Sequence, residues 1–149
     1  MIRISRMADY ALLVVFKMCG REELITLDNL CELTALPLPT LRKLMRALTH
    51  SKLVESVRGP HGGYKLSSQP DQISIAEVIE AIDGPIALTE CVKLDGGDCE
   101  IVDTCGLKGN WNIVNRLISN ALHNVKLDAM GKAPMDVKRL KSALITISE

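Results

Sequence analysis

The sequence predicts a mainly α-helical fold with one small β-hairpin. Apolar residues recur at helical spacing along most of the chain, and a glycine-rich pentapeptide separates two short strand-like runs. Breaks at Gly20, Pro37-Leu38-Pro39 and Asp83-Gly84-Pro85 divide the helical stretches into short lengths.

From Ser5 to Cys19, Tyr10, Leu13, Val14, Phe16 and Met18 fit a largely buried helix stopped by Gly20. Thr26 caps a short second helix, Leu27 to Leu33, with Leu27, Leu30 and Cys31 on one face. The run Thr34-Ala35-Leu36-Pro37-Leu38-Pro39 breaks the chain, and Pro39-Thr40 opens a third helix, where proline is tolerated in the first turn. Leu41, Leu44, Met45 and Leu48 occupy the i, i+3, i+4, i+7 stripe of that helix. Arg42, Lys43 and Arg46 are left on the opposite face, continued by Thr49 and His50. A short helix, a turn and a second helix with a cationic outer face form the helix-turn-helix pattern.

Leu53 to Arg58 reads as a strand and Tyr64-Lys65-Leu66 as its partner, joined by Gly59-Pro60-His61-Gly62-Gly63. A hairpin directly after a recognition-type helix is a wing. Arg42, Lys43, Arg46, Arg58 and His61 are therefore the residues expected to contact double-stranded DNA.

After Pro70, Ser74-Ile75-Ala76-Glu77 is a capping box for a helix through Ile75, Val78, Ile79 and Ile82. Trp111, Val114, Leu117, Ile118, Ala121, Leu122 and Val125 trace a long amphipathic helix from about Asn110 to Lys126. A small winged domain offers that stripe no obvious groove, so a homodimer is expected to bury it. The expected division is a winged helix-turn-helix over 1–70, a capping helix, cysteine loop and dimerisation helix over 71–130, and a tail over 131–149. Val137, Leu140, Leu144 and Ile147 suit a short helix in the tail.

Charge follows the same division. Residues 1–66 hold ten Lys/Arg against six Asp/Glu, and residues 67–130 hold four against ten. A basic first half suits a polyanionic partner, and an acidic second half suits a separate task. The start of the chain lacks a signal-peptide pattern, and no apolar run is long enough to span a bilayer, so a cytoplasmic chain is expected.

Cys91, Cys99 and Cys105 fall within fifteen residues, among Gly96, Gly97, Asp98, Asp103 and Thr104, in a loop-forming composition. Thiolates on one loop can converge on a soft metal or an iron–sulfur cluster; three free cysteines, or a disulfide plus one, is the plainer reading. Cys19 and Cys31 sit within apolar helical patterns and read as core. A thiol-redox enzyme finds no Cys-x-x-Cys pair and no second catalytic group here, so a non-enzymatic protein is expected. A cluster carrier without DNA binding is a further alternative.

Three features together resemble a known family: Arg3-Ile4-Ser5 through Asp9-Tyr10-Ala11-Leu12, the wing Val57 to Tyr64, and three cysteines before an amphipathic helix. They are similar to the Rrf-two family of bacterial transcription regulators, of the IscR and NsrR type. Ile73 to Cys91 and Asn110 to Arg116 resemble the branch that regulates SUF iron–sulfur assembly genes. The resemblance implies a dimeric repressor whose Cys91, Cys99 and Cys105 ligate an iron–sulfur cluster, two-iron two-sulfur favoured over four-iron four-sulfur. By the same resemblance the helix Thr40–His50, Thr40 included, and the Arg58 wing would contact operator DNA, with cluster state controlling affinity.

In the IscR branch a histidine completes the ligand set three residues after the last cysteine. Lys108 stands there, and a protonated lysine has no lone pair for iron. Asp9 of a partner subunit fits the place of an aspartate ligand in other members, with Glu90, Asp98, Glu100 and Asp103 as local competitors. A nitric-oxide-sensing repressor is the alternative, since Cys105-Gly106-Leu107-Lys108 also resembles the NsrR branch.

Overall fold

The computed structural model describes residues 3–95 and 97–131. The expected tail helix lies outside the described residues. In order come α1 (Arg6–Met18), α2 (Leu27–Thr34), α3 (Leu38–His50), β1 (Val54–Val57), β2 (Gly63–Leu66), α4 (Ile75–Asp83), a short 3-10 turn (Glu90–Val92), α5 (Lys108–Asn124) and α6 (Leu127–Met130). This is a winged helix-turn-helix followed by a long helix.

Side chains near the helix starts fix the boundaries. Ser5 accepts from the Ala8 amide, Thr26 from the Asn29 amide, and Ser74 with Glu77 closes the capping box in both directions. α2 ends at Ala35, whose φ of 56° turns the chain toward α3. α3 begins at Leu38, one residue ahead of the expected Pro39-Thr40 opening, with Pro39 in its first turn.

The expected stripes meet in one core. Val14, Val15 and Met18 of α1, Leu30 of α2 and Leu41, Leu44, Met45 and Leu48 of α3 pack together with Val54, Ile73, Val78 and Leu127. Cys19 and Cys31 pack against this cluster, half-buried, as their apolar settings predict.

β1 and β2 pair antiparallel with Val57 opposite Gly63. A further pairing did not show in the sequence: Ile25 bridges Tyr64, each amide donating to the other's carbonyl at 2.9 and 2.8 Å. The wing is thereby fastened to the stretch between α1 and α2.

α5 begins two residues before the expected Asn110 and ends two before Lys126. The chain then bridges back: Lys126 pairs with Ser74, and α6 adds Leu127 to the core. No helix among the described residues is long and apolar enough to cross a membrane.

Candidate nucleic-acid interface and cysteine loop

Burial of the Leu41-Leu44-Met45-Leu48 stripe settles which face α3 turns outward. Arg42, Lys43, Arg46 and His50 are exposed, and Thr40 is half-buried in the first turn. Arg42, Lys43 and Arg46 line an open groove of about 930 Å³ with Thr49, His50, Ser56 and Tyr64, so the helix and the wing share one concave surface. Glu80 and Ala81 of α4 form its far wall.

Arg58 and His61 are exposed at the wing. Gly59 has φ of 120°, and its carbonyl accepts from the Gly62 amide at 3.0 Å. A Cβ on Gly62 would collide with the Val57 carbonyl oxygen, so only glycine lets the hairpin close this tightly. Across the strands Lys65 pairs with Glu55 at 3.1 Å, while Arg58 has no carboxylate partner among the described residues. Arg42, Lys43 and Arg46 on α3 and Arg58 at the wing tip are thus exposed cations without an ion-pair partner among the described residues.

The second region is the stretch between α4 and α5. Cys91 lies in the 3-10 turn, its Sγ 3.3 Å from Thr89 Oγ1, and Cys99 and Cys105 lie in the loop beyond. All five cysteines are free. Gly97, at φ of 53°, presses onto the Glu90 backbone so closely that a Cβ would collide with the Glu90 carbonyl. This folds the loop back beside Cys91. Three half-buried free thiols on one folded segment suit a soft centre such as an iron–sulfur cluster. Among the described residues no three His, Cys, Asp or Glu side chains are gathered to hold a metal ion, and the three cysteines share the loop without forming such a group.

Asp9 is exposed on the first turn of α1 and lines a shallow cavity with Leu12, Leu13, Phe16, Leu127 and Met130. Lys108 opens α5. Two residues that the sequence did not single out hold the loop's approach. Asn115 donates through Nδ2 to the Ile86 carbonyl and accepts through Oδ1 from the Leu88 amide, both at 2.9 Å. Glu80 Oε1 accepts from the Ile86 amide at 3.5 Å, and its Oε2 stands 3.6 Å from His123 Nε2. A signal for Asn115 exists in the sequence: it sits four residues after Trp111 and three before Ile118, a polar side chain on an apolar seam.

A family described as "Rrf2: Iron-dependent Transcriptional regulator" matches residues 4–133. The chain belongs to the Rrf2 family. Among curated Rrf2-type relatives, the transcriptional regulator IscR of Pectobacterium carotovorum is 29% identical over 140 residues, 91% of this chain and 84% of that one. IscR of Sodalis glossinidius is 35% identical over 103 residues, 69% and 61% of the two chains. Among solved structures, CymR, the global cysteine regulator of B. subtilis, superposes with a TM-score of 0.65 at 27% identity, covering 87% of this chain and 96% of that one. IscR of T. potens shares the fold, with a TM-score of 0.61 at 23% identity over 93% and 96%. This Rrf2-family chain is thus similar to transcription regulators along nearly its whole described length.

Proposed function

We propose that this chain is an iron–sulfur-cluster-binding transcriptional repressor of SUF assembly genes, acting in the cytoplasm as a homodimer on double-stranded operator DNA. The observation that carries the reading is the pairing, in one fold, of a free cationic surface on α3 and the wing with a three-thiol loop that leads directly into α5. Thr40, Arg42, Lys43, Arg46, Arg58 and His61 contact DNA; Cys91, Cys99 and Cys105 hold the cluster, two-iron two-sulfur in preference to four-iron four-sulfur. Asp9 of the partner subunit is the favoured further ligand, because an oxygen donor from across the dimer ties the centre to dimer geometry. When bound, the cluster supplies a centre that is gained or lost with iron–sulfur supply.

Support for the dimer comes from α5, where Trp111, Val114 and Leu117 remain exposed on one chain. Two recognition helices must meet two half-sites at once, so any change in their separation alters affinity. The similarity of Ile73–Cys91 and Asn110–Arg116 to the SUF-regulating branch supports the choice of target.

A second reading has support of its own. The likeness to the global cysteine regulator, together with cysteines that are free and not gathered, favours control by thiol chemistry without a cluster. Anaerobic purification with an absorption spectrum, iron and sulfide counts, and binding to the promoter of a SUF assembly gene from the same genome separates the two. Visible absorption with iron and sulfide bound, and DNA affinity that changes when they are removed, is the expected result. Colourless protein with thiol-dependent affinity would favour the second reading.

A further inference from the structure

α5 grips the cysteine loop at both ends. The loop leaves Cys105 through Gly106, at φ of 62°, and Leu107, whose carbonyl accepts the first α5 bond from Trp111. Its other end, Ile86 to Leu88, is held by Asn115, two turns along the same helix. Both halves of the Asn115 amide are engaged, one donating and one accepting, so they hold the Ile86–Leu88 backbone much as a strand neighbour would. Three residues beyond Leu88 stands Cys91. The clamped segment also touches α4, because the Ile86 amide donates to Glu80. Glu80 in turn lines the groove beside α3 that carries Arg42 and Arg46.

We propose that Asn115 is the positioning residue that couples the state of the cysteine loop to DNA binding, by clamping Ile86 and Leu88 so that any rearrangement around Cys91 moves α5 against α4. The inference rests on the regulator reading above, and it adds the route by which the loop reaches the DNA-binding surface. Side-chain chemistry makes asparagine specific here. Aspartate could accept from the Leu88 amide but would face the Ile86 carbonyl with a second acceptor, and alanine would release both backbone groups.

The test measures affinity for the promoter fragment of a SUF assembly gene, anaerobically, for cluster-loaded and cluster-free protein. The quantity read is the ratio of the two affinities, which coupling of the usual strength sets at about 5–150-fold. Asn115→Ala is expected to keep the wild-type spectrum and iron count and to remain folded by circular dichroism. Its ratio is expected to collapse to about twofold or less, below the usual coupling range. Asn115→Asp keeps one of the two bonds and serves if the alanine variant does not fold; its ratio is expected to lie between. A wild-type ratio in either folded variant overturns the proposal while leaving the regulator reading intact. A variant that loads no cluster also overturns it, since Asn115 would then serve to build the cluster site. A ratio of one in the wild type overturns the regulator reading, and with it the clamp's role.

Discussion

The Leu127 amide donates to the carbonyl of Ile73 at 2.8 Å, and both side chains are buried in the core. With the Ile75 amide bonded to the Val125 carbonyl at 3.0 Å, this sews the C-terminal end of α5 to the start of α4. Nearer its start, α5 is tied to the Ile86–Leu88 backbone through Asn115 and carries Trp111, Ile113, Val114 and Leu117, all exposed. The C-terminal end of the helix is thus built into the winged domain, while the apolar side chains nearer its start stay uncovered on one chain. Leu127→Ala should cost about 2–5 kcal/mol, as for a large aliphatic side chain deleted from a packed core. Urea denaturation checks this; a loss under half a kilocalorie would place Leu127 outside the cooperative core.

The DNA surface predicts a reversal experiment. Arg42→Glu with Arg46→Glu should abolish binding to the target promoter while leaving the absorption spectrum of the loaded protein unchanged, since both side chains project away from the core. Lys43→Ala should weaken binding across sequences and lower the salt slope by about one unit. Unaltered affinity after the double reversal would move the interface elsewhere.

For the dimer, Leu117→Glu or Ile118→Glu should give monomers by analytical ultracentrifugation. A carboxylate placed without a partner in an apolar seam pays its full desolvation cost. Such monomers should also lose tight binding to a two-half-site operator. Dimers that survive both substitutions would exclude this seam.

Single replacement of Cys91, Cys99 or Cys105 by alanine should abolish the visible absorption of anaerobically purified protein. Asp9→Ala should alter the spectrum or shorten cluster lifetime without abolishing loading, because a carboxylate is a harder and weaker partner for iron than thiolate. Gly97→Ala should also impair loading, since its Cβ would force the loop off the Glu90 backbone. A wild-type spectrum and lifetime in Asp9→Ala would remove Asp9 from the ligand set.

The capping box gives a pH prediction. Burial tends to raise the Glu77 carboxyl, but bonds from the Ser74 amide and hydroxyl and the charges of Lys126 and His123 outweigh it and hold it below the usual 4.5. A lowered native value means that the stabilisation is complete above 4.5 and is lost as pH falls through that lowered value. Ser74→Ala should cost about 0.5–2 kcal/mol at neutral pH and flatten the acid limb of a stability profile. An unchanged acid limb would mean that Glu77 titrates alike folded and unfolded.

Local chemistry alone fixed the five longer helices to within a residue or two, the caps at Thr26 and Ser74, the wing and the outward face of α3, but not α6 or the 3-10 turn. Thr26 and Ser74 announce helix starts through bonds spanning three residues, and the stripe from Leu41 to Leu48 has only one way to be buried. The two glycines Gly59 and Gly62 declare a tight hairpin for similarly short-range reasons. Such features depend on neighbours within a turn or two, so the order of residues suffices to read them.

Longer-range contacts were decided only by tertiary structure. Ile25 meets Tyr64 across thirty-nine residues, Leu127 reaches Ile73 across fifty-four, and Asn115 clamps Ile86 and Leu88 from the next helix. Each joins backbone groups that look alike at every position, so no residue pattern marks the partner in advance. The polar interruption at Asn115 shows that something must satisfy that side chain. Which carbonyl and which amide do so depends on how α4 and α5 pack, and that is set by the whole core at once.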